Sequence, residues 1–139
     1  MNDDDTAFPT DPTDVTLELL VRILNDVEDS TDGRVTEGIT LCVKGMLISG
    51  VIVSRKEFFR SHPVLEQVDE TFEKLEADGT IPKKNKSDPV YFIHLRNAHI
   101  FAPGQRPIPT DPTGTFWRGR LASVDGFFLG RLGVEEPKG

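Results

Sequence analysis

The chain has 139 residues, 37% hydrophobic and 28% charged, the size and balance of one soluble globular domain. Its 23 Asp and Glu against 16 Lys and Arg give a formal net charge of -7, which disfavours general binding to nucleic acid or anionic membrane. The single cysteine, Cys42, excludes an intramolecular disulfide and a cysteine-rich zinc site.

Residues 1–13 read as a disordered acidic tail, with Asp3, Asp4, Asp5, Pro9 and Pro12 and little to bury. An acidic start is not a secretory signal, and no apolar run nears the roughly 20 residues that span a bilayer, so a cytoplasmic protein is expected. A single domain follows over 14–133, with a flexible tail over 134–139. Asp14 is placed to cap a helix whose stripe is Leu17, Leu20, Val21, Leu24 and Val27. Strand alternation also fits Val15 to Ile23, but Leu20 and Leu24 would spoil its polar face. Asp29 to Gly33 is rich in turn formers and ends the segment.

Ile39 to Val43 and Met46 to Val53 read as a hairpin around Lys44-Gly45, pairing Val43 with Met46 and Leu41 with Ile48. One face then carries Ile39, Leu41, Val43, Met46, Ile48 and Ile52, and the other is less apolar. Ser54 and Glu57 have capping-box spacing ahead of Phe58 and Phe59. Pro63 splits this segment, with Ser61 or His62 starting a second helix whose stripe is Leu65, Val68, Phe72 and Leu75. Glu66, Asp69, Glu70, Glu73 and Glu76 supply its solvated side, and Lys83 to Asp88 reads as a solvated loop.

Tyr91 to Phe101 reads as a strand disrupted near Arg96-Asn97, and the four prolines between Ala102 and Gly114 predict an irregular loop. Asp125-Gly126 is a strong hairpin signal between Phe116–Val124 and Phe127–Leu132. That register sets Val124 against Phe127 and Arg120 against Arg131, with Arg118, Phe127 and Leu129 on the same face. The element order predicts an α+β fold: a small five-stranded antiparallel Sm/SH3-like barrel or strongly bent sheet, with an N-terminal helix and a helical insert between strands 2 and 3.

No constellation for catalysis, cofactor or metal is visible. His94 and His99 are five apart on one strand, so regular pleating sends them to opposite faces, and only a bulge near Asn97 would bring them together. Cys42 reads as a small buried hydrophobe and Ser123 as a residue beside a turn. No P-loop, dinucleotide fingerprint or nucleophile elbow occurs. The informative cluster is Arg118, Arg120 and Arg131, since like charges set opposite one another are unfavourable without a partner or shield. Together with Phe127 and Leu129 they form a candidate partner-binding surface.

Three ordered stretches resemble the gas vesicle protein U (GvpU) family. They are Tyr91-Phe92-Ile93-His94-Leu95-Arg96-Asn97, Phe116-Trp117-Arg118-Gly119-Arg120-Leu121 and Val124-Asp125-Gly126-Phe127-Phe128-Leu129-Gly130. Val43-Lys44-Gly45, Ile48-Ser49-Gly50 and Lys56-Glu57-Phe58-Phe59 are similar too, and the resemblance spans roughly 16–132. It implies a non-enzymatic accessory protein associated with gas vesicles and affecting their clustering or assembly. The implied partners are the vesicle shell or other accessory proteins, with self-association, and neither nucleic acid nor membrane. An Sm-like nucleic-acid-binding module is the alternative.

Overall fold

Asp14 opens the first described helix, α1 (Val15–Ser30). Its Oδ1 accepts from the backbone N–H of Thr16 at 2.9 Å and of Leu17 at 3.3 Å, satisfying donors that a first helical turn leaves free. The computed structural model describes residues 14–30, 37–85 and 87–133. The expected tails at 1–13 and 134–139 and residues 31–33 of the expected turn lie outside them. Leu17, Val21 and Leu24 are buried and Leu20 packs beside them, so the helical stripe faces the core.

β1 (Gly38–Val43) and β2 (Met46–Val53) form the expected hairpin, with Val43 opposite Met46 and Leu41 opposite Ile48. Lys44 and Gly45 have φ of 50° and 83°, the backbone whose twist matches that of the two strands. Ile39, Leu41, Ile48 and Ile52 join the α1 stripe in the main core, whereas Met46 is exposed. The other face is also covered. Thr40 and Ser49 are fully buried there, with 3.0 Å between their hydroxyl oxygens. Leu132 N–H donates to Ser49 Oγ at 2.8 Å, and the Thr40 hydroxyl donates to Gly130 O at 2.9 Å. These bonds tie residues 130–132 across the sheet.

α2 (Arg55–Arg60) begins at the expected cap, Ser54 Oγ accepting from Glu57 N–H at 3.0 Å. Phe58 and Phe59 pack with Val53 and half-buried Leu65 in a second, smaller core. α3 (Pro63–Ala77) has His62 as N-cap, its Nδ1 accepting from Val64 N–H at 3.1 Å, and Pro63 in its first turn. Its apolar stripe does not become core. No α3 residue is buried, and Val68 and Phe72 are 40% and 45% exposed. Leu65, the Arg55–Asp69 ion pair at 2.8 Å and the Glu76 carboxylate are among the groups that tie α3 to the rest of the fold.

β3 (Phe92–Phe101) carries the expected disruption as a bulge. Ser49 faces His99 but Val51 faces Arg96, so one extra residue sits on β3, and Asn97 has φ of 52°. Glycines give the bulge room on both sides. A Cβ on Gly50 would meet Arg96 O at 2.8 Å, and one on Gly114 would meet the Asn97 carbonyl carbon at 2.6 Å. The extra residue shifts side-chain parity, which corrects the expectation for the histidines: His94 and His99 share one face.

β4 (Thr115–Arg120) pairs with β3, and β5 (Gly126–Leu129) pairs with β1, giving the sheet order β4-β3-β2-β1-β5. The expected β4–β5 hairpin is therefore not formed. A 3-10 turn over Leu121–Ser123 intervenes, with Leu121 buried in the core and its N–H on Tyr91 O at 2.8 Å. The Asp125 N–H donates to Cys42 O, and the Asp125 carboxylate accepts from Lys44 N–H at 2.9 Å. Asp125-Gly126 thus caps the first hairpin and starts a strand beside it; neither residue has positive φ. β4 and β5 are opposite edges of an open five-stranded antiparallel sheet in an α+β fold. The sheet is not closed into a barrel.

Candidate interaction edges and a cationic cavity

The sheet order divides the residues that the sequence groups together. Arg118 and Arg120 lie on the β4 edge, opposite His94 and Phe92, and share a face as expected. Arg131 is not across from Arg120. It follows β5 at the other edge, and its Nη2 donates to Asn97 O at 2.8 Å. Phe127, opposite Leu41, packs against the core, while Phe128 and Leu129 are 49% and 56% exposed. The cationic pair Arg118 and Arg120 and the apolar pair Phe128 and Leu129 therefore stand on opposite edges.

Arg118 is held rather than free to swing. Its Nε donates to His94 Nε2 at 3.1 Å, and its guanidinium carbon lies 3.6 Å from the Phe92 ring centroid. His94 is buried, with the Phe58 ring centroid 4.8 Å from its own. Burial, then the charges of Arg118, Arg55 and Lys84, push its pKa down to about 3. His94 is consequently a neutral acceptor at physiological pH, with the bond to Arg118 on Nε2.

Beside Arg118 opens a cavity of about 610 Å3 between α1, the start of α2, the 84–91 segment and the edge of β3. The described residues of the segment expected to be a solvated loop are exposed, and the chain is pinned on both sides. Lys84 N–H donates to Glu76 Oε2 at 3.2 Å, Arg22 Nη2 to Asp88 O at 3.1 Å, and Val90 N–H to Glu18 Oε2 at 3.3 Å. It brings Lys84 to the cavity wall with Arg55 and Arg118. Burial, then Arg55, holds Lys84 below the usual lysine range, although Glu76 and Asp69 pull the other way. Burial and Arg55 likewise lower Arg118.

The histidines on the shared face are engaged separately, His99 Nε2–H donating to Asp111 O at 2.8 Å. Among the described residues no three His, Cys, Asp or Glu side chains come together as a metal site needs. Cys42 is half-buried in β1. No described helix is long and apolar enough to cross a membrane.

The sequence matches the family described as Gas vesicle protein GvpU-like over residues 14–132. The chain belongs to that family. The matched span takes in every described element, so the GvpU-like region is the whole sheet with its three helices. Comparison with curated proteins and with solved structures finds no match. Membership ties this GvpU-like chain to gas vesicles. Arg118 was legible in its sequence; Arg55 and Lys84 were not singled out. Arg55 reads locally as the residue after a cap and Lys84 as part of a basic loop run, and the turn that joins them to Arg118 is tertiary.

Proposed function

We infer that the chain is a non-enzymatic adaptor that associates with gas vesicles and promotes their clustering or assembly. The observation that carries this is the placement of two chemically different surfaces on opposite edges of one sheet. Bridging two particles needs at least two contacts per adaptor, and multivalency makes individually weak contacts effective. The β4 edge offers Arg118 and Arg120 to acidic groups of a vesicle component or of a second copy. The β5 edge offers Leu129 with Phe128; Phe127 supports it by packing on the core, and exposed Arg131 follows it, tied to Asn97 O. An Sm-like nucleic-acid binder is the weaker reading, because a net charge of -7 opposes a polyanion.

The test is binding to the buoyant vesicle fraction over a salt series, with clustering read by light scattering and folding by circular dichroism. Exposed charge contacts are screened beyond about 8 Å at physiological ionic strength, whereas apolar contacts persist or strengthen in kosmotropic salts. Arg120→Glu is expected to abolish the salt-sensitive part of binding, and Leu129→Ser the salt-resistant part. Either variant should cluster vesicles poorly while keeping its fold. Binding and clustering equal to wild type by both variants at every salt concentration would refute the two-edge adaptor.

A further inference from the structure

The cavity beside Arg118 has no task in the two-edge reading, and four of the side chains that line it are cations. Arg22, Arg55, Lys84 and Arg118 line it against the carboxylates of Asp26 and Asp88. Arg22 is bridged by Glu18 at 3.2 Å and Arg55 by Asp69 at 2.8 Å. The Asp88 carboxylate accepts from Asn85 N–H at 2.8 Å. Among the described residues, Lys84 and Arg118 have no carboxylate within ion-pair distance. Burial, and after it the neighbouring Arg55 charge, lowers the pKa of both groups, the cost of keeping cations in a partly desolvated hollow. An anion in the hollow would offset that cost.

The arrangement also selects the kind of anion. A single arginine meets a lone carboxylate bidentately and needs no further cation. Here donors come from three separate elements: α2 with Arg55, the 84–91 segment with Lys84, and β4 with Arg118. Donors spread around a hollow suit the several oxygens and higher charge of a phosphate group. Arg118 is already oriented by His94 and Phe92, which leaves its two Nη groups for a ligand. The roughly 610 Å3 exceeds what a bare inorganic ion fills, and Tyr91, 66% exposed, adds an aromatic ring to the lining.

We propose that this cavity binds a phosphate-bearing small molecule, with Arg118, Lys84 and Arg55 on the phosphate oxygens. Titration calorimetry of the full chain without vesicles tests it, using inorganic pyrophosphate, adenosine diphosphate, adenosine and citrate. The absence of vesicles makes the outcome independent of the adaptor reading. Saturable binding is expected for both phosphate compounds and none for adenosine. Arg118→Gln and Lys84→Gln should each weaken binding at least tenfold. Tighter binding of adenosine diphosphate than of pyrophosphate would assign part of the recognition to a base beside Tyr91. Equal binding would assign it to phosphate alone. No saturable binding of either phosphate compound at millimolar concentration would overturn the proposal. So would citrate or adenosine binding as tightly as pyrophosphate. Lys84→Gln lies outside the core and keeps the fold testable; if it bound within twofold of wild type, the proposal would fail.

Discussion

His94 is buried against Phe58, accepts from Arg118 and stays neutral with its pKa near 3. In the unfolded chain the same group titrates near its ordinary 6.5. Above that value both states hold the neutral form and folding is unaffected. As pH falls below it, the unfolded chain takes up a proton that the folded one refuses. Stability therefore drops by about 1.4 kcal/mol per pH unit down towards pH 3. Chemical denaturation between pH 6.5 and 5, above the ordinary carboxylate range, should show this slope, and His94→Gln should remove it. An identical slope in both proteins would place the proton elsewhere. Glycines give a second residue-scale test. Gly114 has φ of 76° and no room for a Cβ, so Gly114→Ala should cost about 2–3 kcal/mol. Gly126 has neither positive φ nor any neighbour within 4 Å of a Cβ, so Gly126→Ala should change stability by about 0.5 kcal/mol or less. A true Asp125-Gly126 hairpin turn would instead raise the Gly126→Ala cost to about 1 kcal/mol or more. The histidine parity was half legible: the sequence marks a disruption at Arg96-Asn97, but only the strand pairing shows that it inserts one residue and so reverses the alternation.

Local patterns placed the helices and most strands because each is written within its own segment: the Asp14 and Ser54 caps, the Pro63 break, and the hairpin at Lys44-Gly45. What a segment faces is not written there. The α3 stripe has helical spacing, yet only Leu65 meets a core, because α2 occupies the ground over Val53 and His94. Phe58→Ala should accordingly cost about 3–5 kcal/mol by loss of a packed aromatic. Phe72→Ala should cost about 1 kcal/mol or less, since much of its ring is already in water. Urea midpoints at constant slope would measure both. Comparable losses would mean that α3 is packed through its stripe after all. The β4–β5 misreading has the same origin. Asp-Gly is a strong turn signal in isolation, but β1 offered an open edge and Lys44 N–H a partner for the Asp125 carboxylate.

At the scale of the molecule, the element order was readable and the α+β class with it, while closure was not. Whether strands meet around a sheet depends on twist and register summed over all of them, which no local pattern records. The candidate site divided similarly. Its residue types were legible as arginines and aromatics in an acidic chain. Their grouping was not, because the 3-10 turn at Leu121–Ser123 carries the chain from one edge of the sheet to the other.

That crossing also orders events during synthesis. β1 and β2 leave the ribosome early, but the strand that covers β1's outer side follows every other described strand. Until then the nascent chain carries Ile39 to Val43 with a row of unsatisfied backbone groups, a template for any passing extended segment. A chain ending at Asp125 should therefore self-associate or be held by a chaperone, where the full chain is released. Equal solubility of the two on centrifugation after cell-free translation would show that another part of the protein guards that edge.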